Sequence, residues 1–208
     1  MATVLAPPKP RTPVGGPPRP PEGGGEGSRR RDDGAHDIQR YKTGAWLLMG
    51  AITMVFAGFV SAYIVRRGAS TDWRPIPKPP ILWANTAVLL ASSVTIERAR
   101  RRKSTTWLGA TSLLGAAFLI GQYIAWRQLR AAGIYLASNP SSSFFYLLTG
   151  THGLHLLGGA AALFYVAIRA TMQAGWSGRP AAVEATALYW HFMDGLWLFV
   201  FFLVFLWR

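Results

Sequence analysis

The chain lacks cysteine and has few acidic residues, with nine Asp and Glu against 22 Lys and Arg among its 208 residues. Without cysteine there are no disulfides, thiolate metal ligands or cysteine nucleophiles. The sequence also has no P-loop, dinucleotide-binding fingerprint or nucleophile elbow, so it carries no motif of a soluble enzyme of those classes. The formal charge of +13 could indicate nucleic acid as a partner. Most basic residues instead flank apolar blocks or lie near the N-terminus, which favours topology determinants and predicts no nucleic-acid partner.

Half of the residues are apolar, and they occur in long blocks. A block of about 20 residues spans roughly 30 Å of hydrocarbon as a helix. The predicted fold class is therefore an all-α integral membrane protein, a bundle of five transmembrane helices. The predicted spans cover residues 44–65, 81–96, 106–126, 144–168 and 185–207. The second is short, about 24 Å by helical rise, and needs its neighbours or headgroup-level ends.

Residues 1–40 are rich in proline and glycine and contain no apolar segment of the kind found in a secretory signal peptide. This composition predicts a disordered N-terminal tail, followed by a five-helix domain over residues 43–208. Counting Lys and Arg near the span ends places twelve on the side of the N-terminus and seven on the other. The positive-inside rule therefore predicts a cytoplasmic N-terminus.

Helices in lipid associate through small residues and through polar side chains. Small residues repeat in Gly58-x-x-x-Ala62, Ala117-x-x-x-Gly121 and Gly158-x-x-x-Ala162, and the candidates for interhelical hydrogen bonds are Asn85, Thr86, Ser92, Ser93 and Gln122.

Two of the spans carry ionisable residues, which are costly in hydrocarbon and mark a site of function or of packing. His152 and His155 share one face of the fourth span, because residues three apart are neighbours on a helix. Glu184, His191 and Asp194 share one face of the fifth.

Three interpretations of these five residues stand at this point. They could ligate a metal or haem, although no histidine pair is spaced as in HExxH. Glu184, His191 and Asp194 could relay protons. Alternatively, hydrogen bonds across spans four and five, or to lipid headgroups, could hold the bundle together.

The segment Tyr189-Trp190-His191-Phe192-Met193-Asp194-Gly195-Leu196-Trp197-Leu198-Phe199 resembles a signature of subunit III of haem-copper cytochrome oxidases. Glu184, seven residues before His191, also fits that family's pattern. Further segments similar to the family are Asn85-Thr86-x-x-Leu89-Leu90-x-Ser92-Ser93, Gly121-Gln122-x-x-x-Trp126, Ser138-Asn139-Pro140 and Thr151-His152-Gly153-Leu154-His155. These motifs lie in order across residues 43–208, and their combination is specific.

The resemblance implies the five-span bacterial form of a non-catalytic subunit of an oxygen-reducing, proton-pumping complex. Haem and copper are then expected in partner subunits and no cofactor in this chain. It further implies direct packing on subunit I, with subunits II and IV in the complex, and a cleft that holds phospholipid. The implied location is the bacterial inner membrane. The polar residues His152, His155, Glu184, Trp190, His191 and Asp194 are the candidates for the lipid cleft or for an interface.

One departure from the family pattern concerns a carboxylate in the first span. Many members carry a Ser-Glu pair where this chain has Ala51 and Ile52, so any role of that carboxylate cannot be transferred. A quinol oxidase subunit III is an alternative within the class, because another subunit selects the electron donor. A transporter or a standalone membrane scaffold is an alternative outside it, although the sequence contains no internal repeat or mid-span proline of the kind that favours a transporter.

Overall fold

A computed structural model describes residues 25–69, 71–74, 76–77, 79–172 and 180–206, with side chains from residue 39 onward apart from that of residue 180. Five α-helices follow one another: α1 (Gly25–Ala69), α2 (Pro80–Arg102), α3 (Thr105–Ala131), α4 (Pro140–Met172) and α5 (Pro180–Phe201). A π-helical turn, Phe202–Leu206, continues α5. All five helices are long and apolar enough to cross a membrane. The predicted all-helical, five-span fold is confirmed.

Local sequence explains where these helices begin and end. Proline is the first residue of α2, α4 and α5, a position where its missing N–H costs nothing. The Asn139 side chain caps α4 by accepting a hydrogen bond from the Ser142 backbone N–H at 3.0 Å. Helix α2 ends where Lys103 adopts a left-handed conformation with φ 49°.

Helix α2 extends beyond the predicted second span at its C-terminal end. Helix α2 continues to Arg102 and has 23 residues, against the predicted end at residue 96. The Glu97 carboxylate lies 3.0 Å from Arg100 and 2.6 Å from Arg101, one helical turn further along. These pairs, together with the basic residues that face the helix C-terminus, stabilise the last turns. The helix that contains the second span is therefore long enough to cross a membrane.

The chain divides into two units, Met1–His36 and Asp37–Arg208. Residues 1–24 of the predicted tail lie outside the described residues, so disorder there stays a prediction. From Gly25 on, the backbone is helical and belongs to α1, so this helix includes the last part of the predicted tail.

Within the second unit, α2 packs along α3, α3 along α4, and α5 against both α2 and α4. Helix α1 touches the others at few points. One of these is Tyr63, whose hydroxyl donates to the Leu203 carbonyl at 3.4 Å and whose ring packs edge-on against Phe144. The centre of the bundle is aromatic and includes the fully buried rings of Phe118 and Trp190.

Polar side chains connect the helices. Hydrogen bonds join Asn85 to the Phe118 carbonyl, Thr86 to Trp197, Ser92 to Trp190, Ser93 to His191, Thr95 to Thr111, Trp126 to Thr149, and Tyr189 to the His155 carbonyl. The predicted interhelical roles of Asn85, Thr86, Ser92 and Ser93 are confirmed. The prediction was wrong for Gln122, whose buried amide has no hydrogen-bond partner among the described residues.

Of the small-residue motifs, one provides a close contact between helices and two do not. Gly121 packs directly under the Asn85 side chain, so its lack of a Cβ lets α2 and α3 approach. Gly58 and Gly158 face open space, so neither provides a close helix approach within the part of the chain that the structure describes. Gly115 and Gly159 instead provide the close approaches to α5, where they accommodate Trp190 and Tyr189.

Candidate functional site

His191 lies half-exposed on α5 and faces α2. Its Nδ1 is 2.6 Å from the Ser93 Oγ, and its Nε2 is 3.9 Å from a carboxylate oxygen of Glu97. Ser93 and Glu97 are four residues apart and therefore share one face of α2. The imidazole is thus held between a hydroxyl and a carboxylate, both supplied by the neighbouring helix.

Glu97 connects this histidine to the basic end of α2 through its ion pairs with Arg100 and Arg101. A pocket of about 420 Å³ opens here. Its lining residues are Ser93, Val94, Glu97, Arg98, Arg101 and His191. Arg98 also lies over the Trp107 ring, 5.3 Å from its centroid. The pocket therefore combines one carboxylate with several cations at the end of the bundle.

Asp194 lies one helical turn beyond His191 and is buried, with 4% of its surface exposed. Ser93 interacts with its carboxyl group, but neither carboxyl oxygen has a hydrogen-bond partner of standard geometry. A buried, unpaired carboxylate costs several kcal/mol. Asp194 is therefore unsatisfied as an anion in this position.

Glu184 does not join His191 and Asp194. Its carboxylate pairs with the Lys42 Nζ of α1 at 3.1 Å, and both side chains are largely exposed. It also interacts electrostatically with Arg100. The predicted helical face is real, but the described contacts of Glu184 connect α5 to α1 rather than to the histidine.

The two histidines of α4 lie apart from this cluster. His152 is fully buried, and neither ring nitrogen has a hydrogen-bond partner among the residues that the structure describes. Its ring packs against Trp197 and Phe118, with centroids 5.2 and 6.0 Å away. His155 has its Nδ1 2.8 Å from the Thr151 carbonyl of its own helix. Neither histidine side chain forms a described hydrogen bond with α5.

The sequence pattern favoured a polar lock across spans four and five, whereas most described side-chain hydrogen bonds of this part of α5 run to α2. Hydrogen bonds from the side chains of Trp190, His191 and Trp197 run to α2. Between α4 and α5, the described side-chain bond is that from Tyr189 to a backbone carbonyl. Sequence reasoning missed Ser93 and Glu97 as members of the site. Their spacing of four, at the polar end of the second span, was the available signal.

Trp190 is buried rather than interfacial. Its Nε1 donates to Ser92 at 2.9 Å, and its ring lies against Gly115 of α3 and Gly159 of α4. It thus contacts three helices at once. The close approach of two glycines makes room for this ring inside the bundle.

An apolar groove of about 730 Å³ runs between α1 and α5. Its lining residues are Thr53, Phe56, Ala57, Val60, Ser61, Ile64, Val65, His191, Phe192, Gly195, Leu196 and Phe199. His191 therefore borders both this groove and the cationic pocket. The groove lies within two membrane-spanning helices, so what it offers an occupant is mainly apolar surface.

Within the described ranges, no three His, Asp or Glu side chains converge in a way that could hold a metal ion.

The family model for cytochrome c oxidase subunit III matches residues 40–208. The chain belongs to this family. The match covers every span and the whole of the α2–α5 site. As a member of the subunit III family, the chain is a multi-pass membrane protein and part of an oxidoreductase complex, with other oxidase subunits as partners.

Similar proteins come from several bacterial groups. A probable cytochrome c oxidase subunit 3 of Mycobacterium tuberculosis is 32% identical over 180 residues, which cover 80% of this chain and 89% of the relative. Cytochrome c oxidase subunit 3 of a Synechocystis strain is 32% identical over 176 residues, 78% of this chain and 74% of the relative. The protein of the same name from Bacillus sp. PS3 is 28% identical over 173 residues, 78% and 84% of the two chains.

Proposed function

We propose that this chain is the non-catalytic subunit III of a bacterial haem-copper terminal oxidase, which reduces oxygen with electrons from cytochrome c and pumps protons. Family membership across residues 40–208 is the observation that carries the proposal. In this function the haem and copper reside in partner subunits. The chain packs on subunit I, joins subunits II and IV in the complex, and supports proton uptake. It lies in the bacterial plasma membrane with a cytoplasmic N-terminus.

The groove between α1 and α5 supports the further proposal that the subunit holds phospholipid. Its lining is apolar at the depth of the membrane spans, which suits an acyl chain. At one end, His191 connects it to the pocket that contains Arg98 and Arg101, and guanidinium groups suit a phosphate headgroup. The apolar groove and the pocket with its two arginines therefore adjoin in the same way as the acyl chains and the phosphate headgroup of a phospholipid.

Co-purification tests the proposed function. We expect an affinity-tagged form of this chain, extracted in mild detergent, to bring with it a haem-containing partner, visible in the optical spectrum and by mass spectrometry. After dissociation of the complex, the haem and copper should remain with the partner subunits. Isolation with no oxidase subunit, or stoichiometric haem on the separated chain, would contradict the proposal.

Filling the groove tests the lipid site. Gly195 lines the groove, and a Cβ there meets nothing within 4 Å. We expect Gly195→Phe to fold normally and to lose the phospholipid that native mass spectrometry detects on the unchanged subunit. The matched control is Gly158→Phe, which adds the same ring where space is also open but outside the groove. Equal lipid retention in the two variants would exclude the groove as the lipid site.

A further inference from the structure

Four polar side chains follow one another along the interface of α2 and α5, from the end of the bundle toward its interior. Glu97 and Ser93 come from α2, and His191 and Asp194 come from α5. His191 is exposed, Glu97 and Ser93 are partly buried, and Asp194 at the inner end is buried. This arrangement connects a buried carboxyl group with the pocket beside Arg101.

Asp194 does not serve the bundle as a hydrogen-bonding lock. Among the described residues its two oxygens have no partner of standard geometry, whereas the neighbouring Trp190 and Trp197 side chains supply hydrogen bonds to α2. A carboxyl group in such a place is stable when it carries a proton, because the neutral acid avoids the cost of an unpaired buried charge. The position therefore favours a group that gains and loses a proton.

His191 can connect this acid with the surface. Its two ring nitrogens face different partners, Nδ1 toward Ser93 at 2.6 Å and Nε2 toward Glu97 at 3.9 Å. An imidazole can accept a proton at one nitrogen and release one from the other. The hydroxyl of Ser93, which both accepts and donates, lies between this ring and Asp194.

We propose that Asp194 is a proton-binding site that exchanges its proton with the membrane surface through Ser93, His191 and Glu97. Inward transfer begins with a proton delivered to His191 Nε2 from the pocket at Glu97. Nδ1–H then gives its proton to the Ser93 oxygen, and the Ser93 hydroxyl proton passes to the Asp194 carboxylate. The imidazole is left neutral as the other tautomer, and the reverse sequence releases the proton and restores the ring.

Charged groups on several helices face the path. On α2, Glu97, Arg98 and Arg101 line the pocket and Arg100 pairs with Glu97. On α5, Glu184 pairs with Lys42 of α1 and interacts with Arg100. The two histidines of α4, His152 and His155, form no described bond with the four side chains of the path. The cations draw the Glu97 carboxylate toward the surface end, while Asp194 has no cation as partner within the described ranges. The two carboxyl groups therefore differ in role, one as the surface acceptor and the other as the inner site.

The path is a property of this chain alone, and only its use in proton uptake by an oxidase rests on the proposed function. Its test therefore reads the Asp194 proton directly, without turnover. The full chain is reconstituted in phospholipid nanodiscs, and infrared difference spectra against Asp194→Asn identify the carbonyl band of the protonated Asp194 carboxyl group. Asp194→Glu, which keeps the acid and shifts the band, provides the assignment if the asparagine variant does not fold.

The rate at which this band shifts after transfer to deuterated water measures how fast the Asp194 proton exchanges along the path. We expect Ser93→Ala to slow the exchange by about tenfold or more, the effect of about 1.4 kcal/mol on a barrier, and His191→Gln to slow it as well. Ser112→Ala is the matched control, because the described bond of the Ser112 hydroxyl is to the Leu108 carbonyl of its own helix. The exchange rate in this variant should equal that of the unchanged chain. The absence of an Asp194 carboxyl band at any pH, or an unchanged exchange rate in Ser93→Ala, would overturn the proposal.

Discussion

Replacing Trp190 with alanine should reduce the free energy of unfolding by about 3–5 kcal/mol, the range for truncating a large buried aromatic side chain. The ring is fully buried and lies against glycines of α3 and α4, while its Nε1 bonds to Ser92 of α2. Because packing and polar contacts, rather than water exclusion, hold helices together in lipid, the cavity affects three interfaces at once. Reversible unfolding in mixed detergent micelles measures the change.

Two variants give this prediction its controls. Trp46→Ala removes a tryptophan that is 63% exposed, and its effect should stay within about 0.5 kcal/mol. Trp190→Phe keeps most of the packing and removes one hydrogen bond, so it should cost about 0.5–1.5 kcal/mol. Ser92 retains its bond to the Leu89 carbonyl in that variant. Similar losses for Trp190→Ala and Trp46→Ala would show that Trp190 does not organise the bundle.

Adding a single methyl group at Gly159 should destabilise the bundle by about 1–3 kcal/mol, although alanine is the better helix former. The new Cβ would lie 2.6 Å from Tyr189 Cε1 and 3.1 Å from its Cδ1. The ring cannot easily move aside, because its hydroxyl donates to the His155 carbonyl at 2.9 Å. Gly159→Ala should therefore separate α4 from α5 or break this hydrogen bond.

The matched control for Gly159→Ala is the same substitution at the adjacent residue, Gly158. A Cβ at Gly158 meets nothing within 4 Å, so Gly158→Ala should leave stability unchanged or raise it by up to about 1 kcal/mol through helix propensity. The pair introduces the same methyl group at neighbouring positions of one helix. Equal effects on unfolding in mixed micelles would contradict the close contact between Gly159 and Tyr189.

The spans were predictable because length and apolar composition are local properties of the sequence. A run of about 20 apolar residues must become a helix in lipid, where every backbone group needs a partner within its own segment. Polar ends were harder to predict. Helix α2 continues through Glu97 to Arg102 because the charged side chains of Glu97, Arg100 and Arg101, one turn apart, form ion pairs. A hydropathy profile registers these residues as charged and takes no account of their pairing.

The site was predictable in part. The motif around His191 and Asp194 marked α5 as the helix with polar function, and these two residues do lie in one cluster with Ser93 between them. Glu184 shares their helical face but pairs with Lys42. Helical spacing states which residues share a face and does not state which neighbour that face meets.

The sequence by itself determined the number of spans, their order and the family, because hydrophobic length and dense local motifs require no knowledge of neighbours. Only the tertiary structure decided that Trp190, His191 and Trp197 of α5 bond to α2, that Trp190 is central, and that Gly159 rather than Gly158 is the point of close approach. The physical reason lies in the solvent. Lipid is as apolar as the bundle interior, so apolar periodicity along a membrane helix hardly distinguishes its inner face from its outer one.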